Sequence, residues 1–195
     1  MSDQIYYYVP RTVSVGNPQE MADKVHRFLA QRGLIEPELQ ESASYWEPVY
    51  PCTEHLRSIL QADTVAFLDQ HRHSVSDYFQ GLFFVTEPTF FTPAEGGGSE
   101  TVICPECHAE TDGSEDDEAF GEMFAEFDEE NPVLVCGQCG HTAEINQFDF
   151  RNGGWAYSDF GIGFLNADND TFTAEFEQQL AEAVGYPLAK VERHI

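Results

Sequence analysis

The sequence predicts an α+β protein: a mainly antiparallel sheet with flanking helices, carrying an inserted cysteine-bearing segment. Three observations point there. Expected strands bracket helices without the regular alternation that builds a parallel sheet. Four of the five cysteines fall in two Cys-x-x-Cys pairs between residues 104 and 139, inside a stretch free of Lys and Arg. At 195 residues, the chain is also long enough to bury a proper core. The expected organisation is an α+β domain from residues 1–99 and 149–195, with residues 100–148 as the insertion.

The elements follow in order. Ile5-Tyr-Tyr-Tyr-Val9 is β-branched or aromatic throughout and reads as a strand. Asn17-Pro18-Gln19-Glu20 starts a helix, with an N-cap, proline at the first helical position and a glutamate three residues after the cap. Met21, Val25, Phe28 and Leu29 form its apolar stripe and Gly33 stops it. Residues 34–52 read as irregular around Pro37, Pro48 and Pro51, with an aromatic segment that includes Tyr45, Trp46 and Tyr50. A second helix is expected from Thr53, with Leu56, Ile59 and Leu60 on one face, whereas Val65 to Leu68 is too short an apolar run to assign. Leu82 to Val85 reads as a strand that Phe90 and Phe91 resume beyond Pro88, and Gly96-Gly97-Gly98-Ser99 as a linker.

Within the insertion, Thr101–Cys104, Val133–Cys136 and His141–Ile145 are expected strands. The acidic stretch between them is expected to hold a helix at about residues 114–128, because Ser114 and Asp117 form a capping box and Phe120, Met123, Phe124 and Phe127 recur at helical spacing. Ala143–Phe150 and Trp155–Leu165 read as strands joined by a hairpin turn at Arg151-Asn152-Gly153-Gly154. A loop with Asp168 or Asp170 as helix cap leads to a last helix bearing Phe172, Phe176, Leu180 and Val184, closed by Gly185, and Leu188–Ile195 reads as a final strand.

Cys104-Pro-Glu-Cys107 and Cys136-Gly-Gln-Cys139-Gly140 bring four thiolates within reach of one tetrahedral ion. Pro105 pre-sets one turn, and Gly137 and Gly140 supply backbone freedom for the other. Over about residues 101–145 the sequence resembles a zinc ribbon, which implies two knuckles on hairpins clamped around a structural zinc. Rubredoxin-like iron uses the same ligand set. A redox dithiol at Cys136 and Cys139 would need an electropositive surrounding, and these residues lie in the most acidic part of the chain. His108 and His141 follow the knuckles closely, but four cysteines already complete the ligand set.

Charge is the second strong signal. Thirty-five Asp and Glu stand against nine Lys and Arg, a formal net of −26, and no Lys or Arg occurs between Arg72 and Arg151. Such a balance repels nucleic acids and anionic membranes and suits a basic protein partner. No apolar run is long enough to span a bilayer, and the N-terminal residues lack a secretory pattern. The cysteine usage fits a reducing compartment, so the expected location is the cytoplasm.

The functional expectation is therefore a non-catalytic, acidic protein-binding module with a structural zinc. It is similar in kind to small acidic immunity proteins that neutralise basic, nuclease-type toxins. Its contact residues are expected at Glu115, Asp116, Asp117, Glu118, Asp128, Glu129 and Glu130, with Phe124, Phe127 and Trp155 as apolar anchors. The stripe of Phe120, Met123, Phe124 and Phe127 reads first as a helix face packed on its own protein, with a partner-docking helix as the rival. The alternatives are an enzyme with a polar site among His71, His73, Asp77 and Asp159, or a structural adaptor. Cys52 reads as a small buried hydrophobe. Asp159-Phe160-Gly161 matches the kinase magnesium triplet in letters only, and Asn166 to Glu177 lacks the glycine of a calcium loop, where Thr171 stands instead.

Overall fold

The computed structural model describes residues 4–42, 45, 47–93, 100–113, 118–128, 132–151 and 154–194. In chain order the elements are β1 (Gln4–Pro10), α1 (Pro18–Gln31), α2 (Ala62–His71), α3 (Val75–Phe79), β2 (Leu82–Val85), β3 (Thr89–Phe91), β4 (Glu100–Ile103) and β5 (Glu110–Gly113). There follow α4 (Glu118–Met123), β6 (Val133–Val135), β7 (Thr142–Glu144), β8 (Asp149–Arg151), β9 (Ala156–Ser158), β10 (Gly161–Leu165), α5 (Ala174–Val184) and β11 (Leu188–His194). The class is α+β, as the sequence predicts.

The main sheet has the order β11-β1-β10-β2 and is antiparallel at every junction. Since β10 and β11 both oppose β1, they run parallel to each other, and α5 supplies the crossover that parallel strands require. β1 carries no polar alternation because both faces of the sheet are covered. Its Tyr6 and Tyr8 join one apolar cluster with Val25 and Leu29 of α1, Phe79 of α3, and Phe176, Leu180 and Val184 of α5. Its Ile5, Tyr7 and Val9 join a second cluster with Val49, Phe83, Phe91, Ala156 and Val191. The buried phenols keep hydrogen bonds at their tips: Tyr6 donates to Asn169 and Tyr8 to Glu177, both at 2.9 Å.

On β10, Ile162 and Phe164 face the helices, leaving Gly161 and Gly163 on the second side. There the rings of Phe91 and Phe83 lie against the glycine backbones, and a Cβ on Gly163 would sit 2.5 Å from Phe83 Cζ. Strand β10 therefore uses glycine for close packing.

The N-cap of α1 is as expected: Asn17 Oδ1 accepts from the Glu20 N–H at 3.2 Å. Thr53 caps not an α-helix but a 3-10 turn, Glu54–Ile59. The next segment, unassigned in the sequence, is the ten-residue α2. Its only fully buried side chain is Leu68, so it has no apolar stripe to read. Residues 143–150 form not one strand but β7, a 3-10 turn at Ile145–Gln147 and β8. Residues 155–165 likewise divide into β9 and β10, broken at Asp159, whose N–H donates to Val13 O at 3.0 Å and whose carboxylate accepts from Ser14 Oγ and Val15 N. The expected hairpin between these halves does not form: β8 pairs with β4 and β9 with β3. The last helix is capped by Thr173 rather than by Asp168, whose carboxylate accepts from Thr171 Oγ1 and Asp170 N. Gly96 to Ser99, Ser114 to Asp117, Asn152, Gly153 and Trp46 lie outside the described residues.

Candidate metal centre

β4 with β5, and β6 with β7, form two antiparallel hairpins. Each carries a Cys-x-x-Cys knuckle between its strands. The knuckles share one hydrogen-bond pattern. The first cysteine donates its N–H to the carbonyl five residues on (Cys104 to Ala109 at 3.0 Å, Cys136 to His141 at 2.8 Å), and its own carbonyl accepts from the residue four on (His108 at 3.0 Å, Gly140 at 2.8 Å). That fourth residue has a left-handed backbone in both knuckles, φ +58° at His108 and φ +72° at Gly140. Gly140 thus serves as expected. Gly137 does not adopt positive φ, so the freedom assigned to it is not used.

The pattern aims four sulfurs at one point. Cys104 Sγ and Cys139 Sγ lie 3.8 Å apart, as do Cys107 Sγ and Cys136 Sγ, and all four lie within 4.8 Å of one another. Disulfide sulfurs approach to about 2.05 Å, so these are not bonded pairs. A tetrahedron with metal–sulfur bonds of about 2.3 Å has edges of about 3.8 Å, so the sulfur spacing fits a four-coordinate ion. Cys104 and Cys136 are buried against Val102, Leu134, Ile145 and Phe148, whereas Cys107 and Cys139 are exposed. Burial raises the Cys136 thiol, but the backbone N–H groups of Cys139 and Gln138 outweigh it and bring the thiol down to about 7. Cys139 receives the His141 N–H, which lowers it, yet hydrogen bonding with the other thiols, Cys107 foremost, holds it up at about 12. A divalent cation binding there takes the cysteines as thiolates and would displace their protons. Neither His108 nor His141 belongs to the cluster. The centre is a four-thiol, zinc-ribbon-like arrangement able to hold a metal ion.

No protein family, curated relative or solved structure matches this chain.

The aromatic face beside the centre packs inward. Trp155 is only 8 % exposed. It contacts Phe90 at 5.4 Å and both Phe120 and Phe124 at 5.3 Å, and it stacks on Phe150, while Phe127 meets Phe90 at 5.2 Å. Trp155 therefore has little surface to offer a partner, and Phe124 and Phe127, expected as anchors, are half-buried in this chain's own cluster. Of the helix expected at 114–128, residues 114–117 lie outside the described residues, α4 spans Glu118–Met123 and ends before 128, and β5 occupies the start of the acidic stretch. Glu118 and Asp128 are exposed, as are Glu106, Asp112, Glu122, Glu126 and Glu144; Glu115, Asp116, Asp117, Glu129 and Glu130 lie outside the described residues.

Sequence reasoning missed Asn146. This buried amide donates from Nδ2 to Tyr157 O at 2.6 Å and accepts the Tyr157 N–H at Oδ1 at 3.0 Å. It joins the turn after β7 to β9 as a strand backbone would. Nothing in the local pattern marks it, because a lone Asn in a polar turn looks solvated.

The alternative polar site divides. His71 and His73 come together, their rings 6.2 Å apart and 15° from parallel, and His71 Nδ1 donates to Phe67 O at 2.9 Å. Asp77 lies in the first turn of α3, on the wall of a cavity of about 320 Å³ that includes Gln40, Glu41 and Gln80 but neither histidine. Asp159 is committed to Ser14 and Val15. Burial pushes the Cys52 thiol up to about 12, consistent with an inert core residue. A groove of about 700 Å³ lies beside β11, with Arg11 and Lys190 on its walls, but their charges are met by Asp149 at 3.1 Å and Glu177 at 2.6 Å. No helix among the described residues is long and apolar enough to cross a membrane.

Proposed function

We propose that this chain is an acidic protein-binding module whose four cysteines hold a structural zinc, and that its partner is a basic protein, of the kind a nuclease-type toxin presents to its inhibitor. The ion supplies folding energy rather than chemistry, because four thiolates saturate it. The observation that carries this reading is the surface around the centre. Glu106, Asp112, Glu118, Glu122, Glu126, Asp128 and Glu144 are exposed, while no Lys or Arg occurs from residue 73 to residue 150. Among the described residues near this segment, Arg151 pairs with Glu110, Arg11 with Asp149 and Lys190 with Glu177. A uniform negative field of this sort steers a cationic partner and rejects nucleic acid. Since Trp155 is enclosed, apolar contacts come from the half-exposed edges of Phe124 and Phe127.

The test is cross-linking in lysate of the source cells, comparing the native chain with a variant carrying Glu118→Gln, Glu122→Gln and Glu126→Gln. The proposal expects basic proteins captured by the native chain, lost with the variant and lost at high salt. Equal capture by both chains, or a set without basic proteins, would overturn it.

A further inference from the structure

We infer that the four-cysteine centre is an oxidisable clasp: a peroxide links Cys104 to Cys139 and Cys107 to Cys136, and these disulfides then hold the two hairpins together in place of the ion. The inference rests on the reading of the centre as a zinc site and is independent of the partner. Four cysteines allow three connectivities, and the sulfur spacing selects one. Cys104 Sγ lies 3.8 Å from Cys139 Sγ and Cys107 Sγ 3.8 Å from Cys136 Sγ, and both contacts cross from one hairpin to the other. Each also joins an exposed cysteine to a buried one, Cys139 to Cys104 and Cys107 to Cys136. An accessible cysteine beside a resolving thiol is the arrangement of redox-responsive sites. The crossing partners stand 35 and 29 residues apart in sequence, so each disulfide closes a long loop and constrains the unfolded chain. A bond within one knuckle would close only a few residues and would not tie hairpin to hairpin.

The chemistry consumes one peroxide per disulfide. A bound divalent cation keeps the cysteines as thiolates, which the acidic surroundings alone would not. The exposed Cys139 thiolate attacks a peroxide oxygen; the O–O bond breaks, the sulfur becomes a sulfenic acid and hydroxide leaves. The Cys104 thiolate then attacks that sulfur, forming the S–S bond and expelling a second hydroxide, so the two sulfurs surrender two electrons to the peroxide. Cys107 and Cys136 repeat the sequence. Four thiolates and two peroxides give two disulfides, and no thiolate remains for the ion. Cys52, 2 % exposed within the main core, stays a free thiol. The surface selects the oxidant. Glu106, Asp112 and Glu144 are exposed on the same hairpins, and no Lys or Arg occurs from residue 73 to residue 150. That field repels an anionic oxidant such as glutathione disulfide and leaves neutral hydrogen peroxide unaffected.

The test titrates the zinc-loaded full chain with hydrogen peroxide, follows zinc release with a chromophoric chelator, and maps disulfides by mass spectrometry of unreduced peptides. Cleavage at Glu106 separates Cys104 from Cys107, and fragmentation distinguishes Cys136 from Cys139. Release should be complete at about two peroxide equivalents per chain, with Cys104–Cys139 and Cys107–Cys136 as the main pairs. The oxidised chain should keep amide-exchange protection at Val102 and Leu134 in excess chelator, because the crossing bonds replace the ion. Oxidation by glutathione disulfide should speed up as salt screens the field, while the peroxide rate stays constant. Disulfides within the knuckles, Cys104 paired with Cys136, sulfinic acids in place of disulfides, or lost protection would each overturn the inference. A glutathione disulfide rate indifferent to salt would overturn the choice of oxidant. A chain that takes up no zinc would contradict the metal reading instead, and the disulfide map would still decide the pairing.

Discussion

Replacing Asn146 with alanine tests how the cysteine-bearing segment is fastened to the rest of the fold. The side chain makes two hydrogen bonds to one residue, Nδ2 to Tyr157 O at 2.6 Å and Tyr157 N to Oδ1 at 3.0 Å, and is only 6 % exposed. Alanine removes both of these hydrogen bonds to the buried Tyr157 backbone. A hydrogen bond contributes about 0.5–1.5 kcal/mol net, so losing two should cost about 1–3 kcal/mol. Against a total stability of about 5–15 kcal/mol, that is a large fraction. Asn146→Asp should cost at least as much, because it keeps the acceptor for Tyr157 N but sets a carboxylate oxygen against Tyr157 O. The assay is urea unfolding at fixed metal concentration, read as the midpoint with an unchanged slope. A loss below about 0.5 kcal/mol for Asn146→Ala would refute the clamp, placing the residue among ordinary surface positions.

Other consequences are equally direct. His108 occupies a left-handed position that Gly140 fills in the sister knuckle, so His108→Ala should be less stable than His108→Gly by about 1 kcal/mol, measured by thermal unfolding of the metal-loaded chain. Gly163→Ala should cost about 1–3 kcal/mol, since its Cβ would meet the Phe83 ring at 2.5 Å; a neutral effect in urea unfolding would show that the ring yields freely. Chelation should unfold the two hairpins, seen as lost amide-exchange protection at Val102 and Leu134, while metal affinity falls as pH falls because protons compete for the thiolates. Protection retained without the ion would contradict a structural role.

Much of the fold was legible because its signals are local. The N-cap and proline of α1, the unbroken β1 run, and the stripe of Phe176, Leu180 and Val184 on α5 each state their element within a few residues. The cysteines were legible for the same reason: the spacing within each pair is itself the chemistry. What was hidden depends on distant partners. β5 reads as acidic loop until β4 pairs with it, and α2 buries Leu68 alone, so neither displays a periodic face. The hairpin pairing expected across residues 151–154 is replaced by pairing of β8 with β4 and of β9 with β3, partners that lie far along the chain and leave no local signal. The aromatic spacing of Phe120 to Phe127 was readable, but only the fold shows that Trp155 and Phe90 cover it.

The most direct test of the account is X-ray absorption at the zinc edge of the chain purified with its native metal. Four sulfur neighbours at about 2.3 Å, with no nitrogen or oxygen in the first shell and one zinc per chain, are the predicted result. A nitrogen ligand from His108 or His141, an open position filled by water, or a chain that carries no zinc would contradict it.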